Sequence, residues 1–326
     1  MRFRIDNFVL AIVVTIAIAY FFPEPGRAES PVPLDTIGSI GISLIFFFYG
    51  LKLTPAKLIA GVRNWPLHVL VHTSTFILFP LIVLLAHPFM HGQHSLALWM
   101  AFLFLAALPS TVSSSVVMVS MAKGNVPAAI FNASISGLIG IVVTPIWMGL
   151  FLSQSASEYD LSEIYLKLLV EILTPVTLGF LLQRFLGTHA QKYSHQLSLF
   201  DRSVILLIIY KSFAESFDQH VFSAVDLGDL TIICGAVLLL FCVVYFIVGS
   251  AARAFGFTRE DRITAQFCGT KKSLIHGTVF SKILFQNSAT AGIMLLPLMV
   301  FHALQIFIIS VIASRLGSGA DGEVND

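Results

Sequence analysis

The chain has 326 residues, of which 56% are hydrophobic and 11% charged, with 19 basic against 18 acidic side chains. Soluble domains average about half apolar and roughly a quarter charged, so this chain lacks the polar surface to cover itself in water. Its near-zero net charge gives no reason to expect nucleic acid as a partner, and a mean hydropathy of +0.88 points to membrane lipid as its solvent.

Ten predominantly apolar runs follow one another: residues 7–22, 34–51, 66–86, 96–122, 126–151, 164–183, 202–219, 229–251, 262–285 and 289–314. A helix needs about 20 such residues to cross a bilayer, and only helices and closed barrels satisfy their own backbone in lipid. These runs are continuous rather than alternating, which predicts an all-α membrane protein with ten transmembrane helices. The first run follows Arg2 and Arg4 and contains Ala17-Ile18-Ala19, a pattern shared with cleaved signal peptides. No soluble domain follows it, and as a retained first helix it sets an orientation that the later loops obey.

With the N-terminus in the cytoplasm, the inner loops hold Arg2, Arg4, Lys52, Lys57, Arg63, Lys123, Arg184, Lys192, Arg202, Arg253, Arg259, Arg262 and Arg315, and the outer loops hold only Arg27. That is the positive-inside pattern, and an even helix count returns the C-terminus to the cytoplasm. The expected location is the plasma (inner) membrane. The acids Glu24, Glu29, Asp35, Glu158, Asp160, Glu163, Asp218, Asp226 and Asp229 lean outward.

Halves 1–160 and 161–316 carry five spans each, and five being odd, the second is inserted upside down relative to the first. Inverted repeats are a transporter signature. Asn132-Ala133-Ser134-Ile135-Ser136-Gly137 echoes Asn287-Ser288-Ala289-Thr290-Ala291-Gly292, and each leads to a proline, Pro145 and Pro297. Residues 317–326 form a short polar tail, expected to be disordered.

Chemistry concentrates at two interruptions. In the fourth span, Pro109 is followed by Ser110, Thr111, Ser113, Ser114 and Ser115. Proline removes a backbone bond and opens the preceding turn. Any single hydroxyl can re-satisfy a freed group, but this many in a row suggest a helix break whose carbonyls and hydroxyls line a polar cavity for a cation or substrate. In the ninth span, Gln266, Thr270, Lys271, Lys272 and Ser273 sit between apolar stretches, with Gly269 and Gly277 able to break the helix. Each lysine costs about 2.5–3.5 kcal/mol at mid-helix on insertion scales. Snorkelling to the surface would leave Ser273 to Phe285, too few residues to cross.

Other polar groups read more plainly. Lys211 with Glu215 and Lys167 with Glu171 are spaced as intrahelical ion pairs. His72, Thr73, Ser74 and Thr75, and His302 with Gln305, fit interhelical hydrogen bonds as well as a cavity. Cys234, Cys242 and Cys268 lie in apolar runs without metal-ligand spacing, so neither a disulfide framework nor a zinc site is signalled. Enzyme motifs such as HExxH and GxSxG are absent, and no enzyme is expected.

At the two interruptions the sequence resembles the sodium/bile acid cotransporter family. Its fourth helix typically reads Pro-Gly-Gly-Thr-Ala-Ser-Asn-Val followed by Ala-Lys-Gly-Asn; here Pro109 to Val116 and Ala122-Lys123-Gly124-Asn125 fall in that frame. Leu51-Lys52-Leu53-Thr54 and Thr144-Pro145 are similar too. The resemblance implies a core domain of spans three to five and eight to ten, a panel domain of one, two, six and seven, and broken spans four and nine crossing near the midplane. Classical members bind sodium through oxygen ligands at this crossover. Ser114 matches a ligand position and Ser115 replaces an asparagine, which leaves this pair as a residual sodium site. The fifth-helix hydroxyls fall near Ala129 and Ala133, with Asn132 and Ser136 as substitutes. The family's Glu-x-Gly-x-Gln-Asn-Ser becomes Phe267-Cys268-Gly269-Thr270-Lys271-Lys272-Ser273, and a third-span glutamine becomes Thr75. The carboxylate is gone and two cations stand in place of amides, as in the divergent branch that includes the seventh mammalian member and its bacterial relatives.

A lysine ammonium is a compact charge with three donors and can occupy a place otherwise held by sodium. The expected function is a secondary transporter that moves a small organic, anionic solute by alternating access. No organic cofactor is expected; sodium coupling is weakened or replaced by lysine, and a proton is the other candidate ion. The site residues are Thr75, Thr111, Ser113, Ser114, Ser115, Asn132, Ser136, Gln266, Thr270, Lys271, Lys272 and Ser273, with either lysine able to face the cavity. The rival from another class is a regulatory or scaffold protein that keeps the transporter fold without transport.

Overall fold

The computed structural model describes residues 7–27, 30–53, 64–89, 93–111, 113–155, 166, 169–218, 227–285 and 291–319. Several sequence features lie outside the described residues: Arg2, Arg4, Lys57, Arg63, Lys167, five of the outward acids (Glu29, Glu158, Asp160, Glu163 and Asp226), Asn287 to Thr290, Val112, the Ser113 side chain and the tail from Ala320. The described chain is helical, with no strand among the described residues.

In chain order the helices are α1 (Asn7–Phe21), α2 (Leu34–Lys52), α3 (Trp65–Leu84), α4 (Gln93–Ala107), α5 (Ser113–Met121), α6 (Val126–Ser155), α7 (Leu169–Lys192), α8 (Ser194–Asp218), α9 (Leu227–Ala254), α10 (Arg259–Gly269), α11 (Leu274–Leu284) and α12 (Ala291–Gly319). Six of them, α2, α3, α6, α7, α9 and α12, contain stretches long and apolar enough to cross a membrane, and Leu10–Phe21 and Ser95–Ala107 are shorter apolar helices. One expectation needs correcting. Residues 184–201 read as a loop, yet helix runs through them with a break only at Tyr193. Hydropathy marks the stretch that lipid favours, whereas Gln183, Arg184, Ala190, Gln191 and Lys192 are good helix formers wherever they lie.

The chain divides into two compact units. The first comprises Met1–Thr54, Ala156–Gly228 and Gly277–Leu296. Within it α1 lies along α8 and α2 along α7. The α2 and α7 backbones touch: a Cβ on Gly50 would meet the Val176 carbonyl, and one on Gly179 the Phe47 carbonyl. Glycine at both places permits an approach that any side chain would block. The Lys211–Glu215 pair forms at 3.5 Å, but Lys211 sits closer to Asp35, at 2.7 Å. Lys282 on α11 donates to the Asp35 carbonyl and, at 3.0 Å, to the Ser39 hydroxyl. The Gly292 N–H donates to Ser216. These bonds give Gly277–Leu296 to this unit, whereas the family resemblance assigns all of spans nine and ten to the core.

The second unit comprises Pro55–Ser155, Asp229–His276 and Pro297–Asp326. Here α10 packs against α3, α5 and α6. Thr258 caps α10 by accepting from the Asp261 N–H at 3.2 Å, with Glu260 and Asp261 in the first turn. The Asp261 carboxylate accepts from Asn64 and Asn125, both at 2.8 Å, and so fixes the start of α10 against two other segments. Asn125 in turn caps α6 through the Ala128 N–H. Long helices α6 and α12 each contain an internal proline, Pro145 and Pro297.

Candidate functional site

The second unit holds both interruptions. Helix stops after Ala107 and resumes at Ser113; it stops again after Gly269 and resumes at Leu274. A break in a nonpolar environment is tolerated only if each freed backbone group finds a partner. Many of those freed here have a partner on the opposite break or on a neighbouring helix.

At the first break, Pro109 has no N–H, and the Leu108 N–H shortens its reach to the Leu105 carbonyl. In an unbroken helix the Ser110 N–H would donate to Ala106; instead it donates to the Ser136 hydroxyl at 2.9 Å, which leaves the Ala106 carbonyl free. Thr144 takes up the Ala107 carbonyl at 2.8 Å.

At the second break, the Cys268 carbonyl accepts from Ser110 Oγ at 2.7 Å and the Gly269 carbonyl from Ser74 Oγ at 2.9 Å. Gln305 binds the Lys272 backbone twice: its Oε1 accepts from the N–H and its Nε2 donates to the carbonyl, both at 2.8 Å. The Ser273 N–H donates to the Pro109 carbonyl at 2.8 Å, so the two breaks bond directly to each other. Ser273 Oγ then caps α11 by accepting from the His276 N–H.

A third irregularity lies beside them. Ser74–Leu78 forms a π turn within α3, and the Phe79 N–H reaches the Ser74 carbonyl instead of that of Thr75. Such turns concentrate at functional sites. Here the turn releases the Thr75 carbonyl. Pro80, which cannot donate, likewise leaves the Phe76 carbonyl to Trp147 Nε1 at 2.8 Å.

The released carbonyls converge on one atom. Lys272 Nζ donates to Thr75 at 2.7 Å, Ala106 at 2.5 Å and Leu108 at 2.9 Å, and lies 4.2 Å from the centroid of the Phe79 ring. Three acceptors match the three protons of an ammonium, with the ring face adding cation–π attraction.

Lys271 differs sharply. It is as fully buried as Lys272, yet among the described residues its Nζ has one hydrogen-bond partner, Ser114 Oγ at 3.3 Å. That hydroxyl belongs to a small cluster, with Thr111 Oγ1 3.0 Å from Ser114 Oγ and 2.8 Å from Ser115 Oγ. The result is a charge with unused donors beside hydroxyls that can donate or accept, a combination suited to an anion carrying polar groups.

The remaining expected residues divide. Thr75 contributes its carbonyl; its hydroxyl turns back to Val71. Thr270 bonds back to the Gln266 carbonyl. Ser136 holds the Ser110 N–H. Asn132 donates to Ala128, and its Oδ1 is buried without a hydrogen-bond partner among the described residues. Gln266 stays out of the cluster, because its amide reaches the Tyr245 carbonyl beside Gly249, whose missing Cβ makes the room. Sequence reasoning missed the parts played by Phe79, Thr144 and the carbonyls of Ala106 and Leu108, and gave Gln305 no specific task. Pro80 in the third span and a lone glutamine in an apolar tenth span were the available signals. Among the described residues no group of three or more His, Cys, Asp or Glu is placed to hold a metal ion.

Comparison with known proteins gives a consistent result. The model of the SBF-like CPA transporter family matches residues 6–318. The chain is 38% identical to PA2026 of Pseudomonas aeruginosa over 98% of its own length and 95% of that protein. It is 35% identical to YfeH of Escherichia coli, over 96% and 93% of the two chains. To sodium/bile acid cotransporter 7 of Rattus norvegicus it is 30% identical, over 97% and 94%. Both broken helices and the π turn fall inside these matches, and with its long apolar helices the chain is an integral membrane protein that belongs to the SBF-like CPA transporter family.

Proposed function

We propose that this member is a secondary transporter that carries a small organic anion by alternating access, with Lys271 as the group that meets the solute. The observation that carries the reading is the contrast at the second break: one lysine with every donor used, the other with a single long hydrogen bond to Ser114. A cation held in nonpolar surroundings with spare donors is costly unless a ligand uses it. The family's transporters, and the cotransporter name of the rat relative, support a small organic solute. Thr111, Ser114 and Ser115 supply neutral donors and acceptors beside the charge, and Asn132, Thr270 and Ser273 complete the proposed surroundings.

The fold reading behind this is ten spans in two inverted repeats, 1–160 and 161–316. Counting α4 with α5 and α10 with α11 as one broken span each, and adding α1 and α8 to the six long apolar helices, gives ten. The paired breaks and the paired internal prolines support the repeat. The two compact units each draw on both halves, which supports a core and a panel. The positive-inside pattern supports cytoplasmic termini in the inner membrane.

Sodium coupling is weakened or replaced. Ser114, one oxygen of a residual sodium site, is engaged by the Lys271 ammonium, and no carboxylate of the ninth span stands near it to balance a second cation. The test is a thermal-stabilisation screen of purified protein over small carboxylates, sulfonates and phosphates, followed by uptake into proteoliposomes. Saturable stabilisation and uptake of at least one anion is the expected result; none of either, at any sodium or pH gradient, favours the non-transporting scaffold.

A further inference from the structure

The three carbonyls around Lys272 come from two helices and are freed by separate devices. The π turn releases Thr75, the diversion of the Ser110 N–H to Ser136 releases Ala106, and the stop before Pro109 exposes Leu108. Phe79 presents its ring face to the same point, and that ring is itself held edge-on by Phe301, with centroids 6.0 Å apart. Carbonyl oxygens converging on one centre beneath an aromatic face are the surroundings of a desolvated monovalent cation. An ammonium has a proton for each of the three acceptors, whereas a neutral amine has only two, so the cage suits the charged form.

We propose that this cage is a monovalent-cation site whose resident is the protein's own Lys272 ammonium, an ion tethered so that it never exchanges. The tether is fixed at its base as well, since Gln305 binds the Lys272 N–H and carbonyl. The cage ion therefore stays in place through the transport cycle, and Lys271 is the one cation of the pair that changes partners. The claim is independent of which solute is carried.

Truncation tests it. In Lys272→Ala the cage is emptied, and the purified variant should melt roughly 5 °C or more below the native protein. Ammonium or methylammonium, added at constant ionic strength, should raise its Tm saturably toward the native value; sodium or potassium doing so equally supports a monovalent-cation cage. Tetramethylammonium, too large and without N–H donors, should do nothing, and the native protein should respond to none of these ions. Failure of every small cation to stabilise the variant, or equal stabilisation by tetramethylammonium, overturns the proposal. If the variant cannot be purified, Phe79 is replaced in the native background by phenylalanines of increasing ring fluorination, which weaken the ring face with little change in shape. Tm should then fall stepwise with fluorine count, and a flat series overturns the proposal. Neither measurement reads uptake, so their failure leaves the transport reading standing, and absence of uptake leaves the cage standing.

Discussion

Lys272 Nζ lies 2.9 Å from the carbonyl oxygen of Leu108, the residue between the end of α4 and Pro109. A proline in one broken helix thus prepares an acceptor for a lysine in the other. The neighbouring lysine has no such provision, and this inequality divides the roles proposed for the two.

Removing each ammonium separately should divide stability from transport. Lys272→Met strips donors from three buried carbonyls, at about 1–3 kcal/mol for each group left unsatisfied, so a loss of about 3 kcal/mol or more is expected in thermal or denaturant unfolding. Lys271→Met removes one long hydrogen bond together with a buried charge short of partners, so it should leave the protein at least as stable as native while abolishing uptake. Equal destabilisation by the two would contradict the division of roles.

Gln305 should prove comparable to Lys272 in its importance to the fold. Gln305→Leu leaves both the N–H and the carbonyl of Lys272 without their partner, so a loss of about 2–4 kcal/mol is expected in the unfolding midpoint. A neutral outcome would show that the break does not depend on this pairing.

Sodium should leave the purified native protein unmoved. With a lysine ammonium on Ser114 and another in the carbonyl cage, replacing potassium by sodium at constant ionic strength should give the same Tm. A saturable rise specific to sodium would restore a sodium site.

In the first unit the backbone contact of α2 with α7 predicts a sharp positional dependence. Gly179→Ala forces a methyl group into the Phe47 carbonyl and should cost about 1–3 kcal/mol as overpacking does. Gly235→Ala, with nothing within 4 Å of the added carbon, should be neutral or slightly stabilising through helix propensity. Comparison of the two melting curves checks this directly.

Much of the site is legible in the amino-acid sequence. Pro109 with its run of hydroxyls and the Lys271-Lys272 pair mark both breaks, because proline and buried charge violate what an apolar span otherwise allows. Which lysine keeps spare donors is not legible, since adjacent residues at a helix break point in directions set by backbone partners far away in sequence, here Gln305 and Pro109. The Thr75 carbonyl is hidden for a related reason: its release comes from a π turn, and Ser74 to Leu78 carry no residue that dictates one. Gln266 misleads because a polar side chain near a break attracts a functional reading, whereas Gly249 opposite gives it a place on the Tyr245 carbonyl.

The decisive measurement for Lys271 as the solute's partner is uptake of a stabilising organic anion into proteoliposomes, compared between the native chain and Lys271→Met at equal reconstitution. Accumulation by the native protein is expected with or without a sodium gradient, and none by the variant although it melts within a few degrees of native. Undiminished uptake by Lys271→Met would contradict that role.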